Sequence, residues 1–167
     1  MQAVFIRHGS AEAGGTKPDA DRQLTEEGHA EVRATAEALR RMGLRLERVL
    51  TSPLARAVRS AGLVSEAHGG AAVEVAEFLA PPADAKALRR RLTELAGADV
   101  SAVGLVGHTP SLEACIGELI AGPARPGLSL SKAGAACVEL PPAGSADRPE
   151  LQWLMRREQL AALSATP

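Results

Sequence analysis

Two short apolar runs, Ala3-Val4-Phe5-Ile6 and Ala102-Val103-Gly104-Leu105-Val106, each stop at a histidine beside a glycine, in Arg7-His8-Gly9 and in Gly107-His108. Neither run alternates apolar with polar residues and both are too short for a helix, so each reads as a strand buried on both faces. Between them the pattern turns helical. Thr25-Glu26-Glu27-Gly28 leads an alanine-rich stretch in which Val32, Ala36 and Leu39 recur at helical spacing and which ends near Gly43, the pattern of a capped amphipathic helix. Arg48-Val49-Leu50-Thr51 reads as a further short strand, Ser52-Pro53 as a break, and Leu54 to Ala67 as a second helix closing at Gly69-Gly70.

The alternation continues with a strand at Val73 to Ala76, a helix at Ala83 to Leu95 after the Pro81-Pro82 stop, and a helix opened by Pro110 that runs through Glu113 to Ile120. The last third changes character: Ala135 to Leu140 and Leu151 to Met155 read as antiparallel strands separated by the Pro/Gly/Ser/Asp-rich loop from Pro141 to Pro149. Strands alternating with helices predict an α/β fold, a three-layer sandwich with a mostly parallel central sheet flanked by helices. With 167 residues and neither an internal repeat nor a linker, one domain over residues 1–167 is the expectation.

Composition removes several function classes. Nineteen basic residues against twenty acidic ones leave a net charge of −1, with no bulk attraction to nucleic acid or to an anionic membrane. Phe5, Phe78 and Trp153 are the only aromatics besides histidine, too few for stacking along a single strand. Arg89-Arg90-Arg91 covers most of a helical turn and points in several directions, which suits a solvated face better than a nucleic-acid patch. Cys115 and Cys137 have no metal-ligand spacing and read as packed, reduced thiols. No apolar run reaches bilayer length, and Met1 leads into a strand without a signal-peptide pattern, so a cytoplasmic protein without membrane partner, metal or cofactor is expected.

In parallel sheets ligands bind beyond the carboxyl ends of the strands. Three strands run there into polar signatures: Arg7-His8-Gly9, Ser52-Pro53 with Arg56 one helical turn on, and Gly107-His108-Thr109-Pro110. Two histidines and two arginines gathered at one edge make a cationic pocket suited to phosphate. Arginine presents planar, permanently charged donors that match phosphoryl oxygens, and helix starts after Ser52 and His108 add backbone N–H groups. A neutral imidazole is also a competent nucleophile toward phosphorus, and flanking arginines favour that neutral form of His8. Among strand-end carboxyls, Glu77 is the candidate general acid. His29 and His68 fall inside or at the end of predicted helices, outside this cluster.

Arg7-His8-Gly9, Leu24-Thr25-Glu26-Glu27-Gly28, Ser52-Pro53-Leu54-Ala55-Arg56-Ala57 and Gly107-His108, in that order, resemble the motifs of the histidine phosphatase (phosphoglycerate-mutase-like) superfamily. Short length and the Gly107-His108-Thr109-Pro110 form are most similar to the small bacterial phosphohistidine phosphatases of the SixA type. The resemblance implies a phosphoglycerate-mutase-like fold, with His8 as the nucleophile that becomes phosphorylated, Arg7 and Arg56 binding the phosphoryl group, and His108 stabilising its charge. It also implies a phosphate- or substrate-binding role for Arg22, which precedes the Leu24-Thr25 motif. Two positions depart from the pattern: Ser10 stands where many relatives carry an acidic or amide residue, and Ser60 where a threonine is common.

The activity implied is a metal-independent phosphatase that takes phosphate from a phosphorylated protein histidine and releases inorganic phosphate. The alternatives are a phosphatase for a small phosphate ester and a catalytically idle phosphate-binding module. Against the idle module stand both histidines, since a binder needs the arginines but not a nucleophile.

Overall fold

The strand Gln2–Arg7 (β1) has apolar walls on both sides: Val4 and Ile6 join one buried cluster, Ala3 and Phe5 the other. That arrangement is why its apolar residues do not alternate with polar ones. In the computed structural model, which describes residues 1–122, 127–142 and 144–165, the helix Glu26–Arg41 (α1) follows β1. Then come the strand Arg48–Thr51 (β2), helix Ala55–Ala67 (α2), strand Ala72–Val75 (β3), helix Ala85–Gly97 (α3), strand Ala102–Gly107 (β4) and helix Ser111–Ala121 (α4). Strands Ala135–Glu139 (β5) and Glu150–Met155 (β6) and the helix Arg157–Ala165 (α5) complete the order.

Among the described residues the strands form one six-stranded sheet, ordered β3-β2-β4-β1-β5-β6. The first four strands in chain order are mutually parallel, while β5 runs antiparallel to β1 and β6 antiparallel to β5. One face carries Val32, Ala36 and Leu39 of α1, Ala57, Ala61 and Val64 of α2, and Leu160 of α5. The other carries Leu88, Leu92 and Leu95 of α3 and Leu112, Cys115 and Ile116 of α4. The three layers expected from the sequence are present. So is the change to antiparallel pairing in the last third. Helix α5 was not foreseen, nor were the 3-10 turns at Asp19–Asp21 and Glu77–Leu79. Among the described residues no helix is long and apolar enough to cross a membrane.

Register decides where the site lies. Arg7 pairs with Gly107, and Thr51 with Val106, so β1, β4 and β2 end at the same level of the sheet. Residues just past those ends therefore emerge side by side.

The start of α1 is pressed onto the chain leaving β1. Thr25 caps the helix by accepting from the Gly28 N–H at 3.0 Å, and its own backbone N–H donates to the Ser10 carbonyl at 3.0 Å. A Cβ on Gly28 would sit 2.0 Å from that carbonyl oxygen, and one on Gly9 would sit 2.5 Å from the Gly28 carbonyl oxygen. Both glycines are thus required by backbone-to-backbone contact between the two motifs. Gly28→Ala is expected to destabilise the fold by about 2 kcal/mol, a fall of roughly 4–8 °C in the thermal midpoint. Gly97→Ala, where an added Cβ meets nothing within 4 Å, serves as control and leaves the midpoint in place or raises it.

Candidate active site

His8, Ser52 and His108 follow directly on β1, β2 and β4, and Arg56 lies in the first turn of α2. The rings of His8 and His108 stand 5.0 Å apart, tilted by 57°. His8 Nδ1 lies 2.7 Å from the carbonyl oxygen of Gly9. A carbonyl can only accept, so Nδ1 carries the proton and Nε2 the lone pair. Toward that Nε2 the Arg56 Nε–H donates at 3.3 Å. Buried His108 meets the Ser52 hydroxyl through Nε2 at 2.8 Å.

Each group is held from behind. Arg7 NH1 donates to the Leu130 carbonyl at 2.9 Å, while the Leu130 N–H donates to Glu113 Oε1 at 2.8 Å. Arg7 Nε and His108 Nδ1 are buried without a hydrogen-bond partner among the described residues. The Gly9 N–H points to the Ser60 hydroxyl at 3.4 Å, and that hydroxyl donates to the Arg56 carbonyl at 2.8 Å, which links the loop after β1 to α2. Ser10 gives its N–H to Glu31 Oε2 at 2.7 Å and its hydroxyl to Glu31 Oε1 at 3.1 Å; Arg157 of α5 closes on the same carboxylate.

The segment between β1 and α1 folds over this edge. Ala11 bridges Leu24, and Asp19 on its 3-10 turn reaches Arg56: the Asp19 carbonyl accepts from NH1 at 2.6 Å and Oδ2 from NH2 at 3.0 Å. Asp19 Oδ1 accepts from Arg22 NH1 at 2.7 Å. The structure thus brings Arg7, His8, Arg56 and His108 together, with Arg22 joined through Asp19. Glu77 opens a 3-10 turn after the edge strand β3, exposed and without a hydrogen bond or ion pair to any of these side chains.

The sequence profile of the histidine phosphatase superfamily (branch 1) matches residues 3–80. The phosphohistidine phosphatase SixA of Escherichia coli (strain K12) is 32 % identical over 127 residues, which cover 75 % of this chain and 78 % of that protein. The chain belongs to the histidine phosphatase superfamily. A protein of Picosynechococcus sp. is 34 % identical over 135 residues, 80 % of this chain and 82 % of its own. The solved structure of the protein histidine phosphatase SixA complexed with tungstate aligns with a TM-score of 0.84 at 28 % identity, covering 96 % of this chain and 99 % of that one. The fold is therefore phosphoglycerate-mutase-like, and the chain is a SixA-like phosphatase for a phosphate-containing substrate.

In this cluster both imidazoles are held neutral. Burial is the largest cause of the depression of His8 to about 4, and the nearby charges of Arg56, Arg7 and Arg22 add to it, against the opposing hydrogen bond to Gly9. The sequence pointed to the arginines; desolvation, which needs the fold, outweighs them. His108 is depressed to about 3, by burial first and then by His8 and Arg56. Arg7 is also lowered by burial, partly offset by Glu113. Asp19 is held below the usual carboxylate range by its hydrogen bonds from Arg22 and Arg56.

Asp19, the contact of Ser52 with His108 and the Glu31 brace escaped sequence reasoning. The one available sign was the three-residue spacing of Asp19 and Arg22, which lets the two side chains meet. Cys115 and Cys137 are buried free thiols, each pushed up to about 11 chiefly by burial, in keeping with packed residues. His68 caps the end of α2.

The buried neutral histidines make folding pH-dependent. Above pH 6.5 His8 is neutral in both folded and unfolded chains and contributes nothing; as pH falls from 6.5 to about 4 only the unfolded chain takes up the proton, so stability declines through that window. Over the whole window the cost for His8 is on the order of 3 kcal/mol. Replacing His8 with Asn is expected to remove roughly half of the histidine-linked loss of stability between pH 6.5 and pH 4, the rest coming from His108, measured by urea unfolding at a series of pH values. A wild-type slope retained in the variant would refute a buried neutral His8.

Proposed function

We propose that the chain is a phosphohistidine phosphatase in which His8 Nε2 attacks the phosphorus of a phosphorylated protein histidine. The observation that carries this reading is the fixed His8 tautomer, which leaves the Nε2 lone pair beside a guanidinium donor. In the first step the His8 Nε2–P bond forms, the P–N bond of the substrate breaks, and the departing imidazole nitrogen takes a proton from water. In the second, water attacks the phosphoryl group, its proton passes to solvent, inorganic phosphate leaves, and His8 is neutral again.

Arg7, Arg56 and Arg22 supply positive charge to the phosphoryl oxygens. If the Ser52 hydroxyl donates to His108 Nε2, the ring keeps its proton on Nδ1, the buried nitrogen without a partner, as a donor to an equatorial oxygen. The proposed reaction runs on the protein's own cations. It also makes little demand on Glu77, because an imidazole leaving group departs readily once protonated by solvent, whereas an alkoxide does not.

Intact-mass measurement after rapid quenching tests this directly, with a phosphorylated histidine protein and a small phosphate ester as donors. An acid-labile phosphate adduct is expected on wild type, in the presence of chelator, and none on His8→Ala. Faster loading from the histidine donor supports the proposal; faster loading from the ester selects an ester phosphatase instead. Turnover without any adduct would remove the covalent mechanism, and no turnover with either donor would favour the idle binding module. The neutral His8 further predicts that adduct formation, followed against pH, keeps its rate well below pH 6.5 and falls only toward about 4. An acidic limb centred near 6.5 would contradict it.

A further inference from the structure

Asp19 has no part in the phosphoryl chemistry above, yet it touches two of the three arginines that chemistry uses. Its carbonyl oxygen and Oδ2 take NH1 and NH2 of Arg56 at 2.6 and 3.0 Å, and its Oδ1 takes NH1 of Arg22 at 2.7 Å. A guanidinium has an end-on edge, NH1 with NH2, and a side-on edge, Nε with NH2, and each edge accepts a bidentate anion. Asp19 occupies the end-on edge of Arg56. The side-on edge begins at Nε, which faces His8 Nε2 at 3.3 Å. An anion bonded to His8 therefore meets donors that Asp19 has left free.

The accessibilities fit a guiding contact rather than a structural one. The Asp19 side chain is 61 % exposed and that of Arg56 only 7 %, so an exposed carboxylate reaches inward to a buried cation. Because the carboxylate side of the pair stays in solvent, water can take its place at NH2 of Arg56 when it is removed, while the Asp19 carbonyl still accepts from NH1. The turn that carries Asp19 is itself anchored: the Glu12 N–H donates to the Gln23 carbonyl at 2.9 Å, and Arg22 Nε donates to the Glu12 carbonyl at 2.7 Å.

We infer that Asp19 is a positioning residue for the phosphoryl site: it holds Arg56 and Arg22 side by side, turns the inner edge of Arg56 toward His8, and fastens the 11–24 segment over the nucleophile. One carboxylate between two guanidinium groups offsets their mutual repulsion, so both stand ready at one anion without rearranging when it arrives. The inference rests on the reading of this pocket as a phosphoryl site.

Calorimetric titration with inorganic phosphate tests it on wild type, Asp19→Asn, Asp19→Glu, Arg22→Gln and the double variant Asp19→Asn/Arg22→Gln. Phosphate binding by Asp19→Asn is expected to weaken roughly threefold to tenfold, at a temperature where the variant's thermal unfolding curve shows it fully folded. Asp19→Glu recovers part of the loss, and the double variant loses less than the product of the two single losses, because both substitutions break one contact. Unchanged binding in Asp19→Asn overturns the inference. So does tighter binding, which would make the carboxylate a competitor of phosphate. Wild-type protein that takes up no phosphate overturns the phosphoryl-site reading, and the inference with it; wild type that binds while Asp19→Asn binds equally well overturns the inference alone.

Discussion

The hydrogen bond from His8 Nδ1–H to the carbonyl of Gly9 decides which ring nitrogen is bare, and most of the surrounding architecture keeps that carbonyl in place. Gly9 cannot shift toward α1, because its backbone already packs against Gly28. Its N–H is directed at Ser60 on α2, and the next residue, Ser10, is held twice by Glu31 and twice by Thr25. Helices α1 and α2 thus both hold the Gly9-Ser10 segment. The Leu24-Thr25-Glu26-Glu27-Gly28 motif is the part of α1 that can approach this closely, with Thr25 capping the helix start and Gly28 leaving room for the Ser10 carbonyl.

A pocket with several arginines would be repulsive to assemble if each were unaccompanied, and here the compensating carboxylates stand behind the cations instead of among them. Glu113 supports Arg7 through the Leu130 peptide, and Asp19 takes the outer edge of Arg56. Glu31, with 8 % of its side chain exposed, pairs with Arg157 on the outer side of the loop that carries His8. The inner faces of the arginines are left for an anion, while the local charge stays near balance. Parallel strands ending at one level make this possible, since they deliver His8, Ser52 and His108 to one edge and leave the next layer, from α1, α4 and α5, to brace them.

How much of this was legible follows from the range of each signal. The strands announce themselves because burial on both faces suppresses alternation, as in Val4-Phe5-Ile6, and Arg7, His8 and His108 sit at strand ends with Arg56 in the helix turn after β2, where topology brings them together. Helix α5 gives no comparable sign: Leu160 is its one fully buried residue among those described, too little for a periodic apolar face. The 3-10 turn at Asp19 is too short for any period, and its contact with Arg56 spans 37 positions of polar loop, strand and helix. Glu77 was picked out by its place after a strand. That strand is the sheet's edge, with Val73 and Val75 exposed, so its end lies at the margin of the sheet.

The charge states bear on which leaving group such a pocket favours. The carboxylate that reaches the arginines, Asp19, is kept ionised by them and is no ready proton donor, and His108 is kept neutral. A phosphoryl dianion brought against His108 would favour its protonated form, but a proton acquired there serves the phosphoryl oxygens before the leaving group. With His8 as the proposed nucleophile, cations without a loaded acid would lower the barrier to forming the His8–phosphorus bond more than the barrier to expelling an alkoxide. Under the proposed reading the selection is therefore kinetic: the cations bind a phosphoryl group whether it is carried on nitrogen or on oxygen, and the leaving group's own ability to take a proton from water decides which substrate turns over.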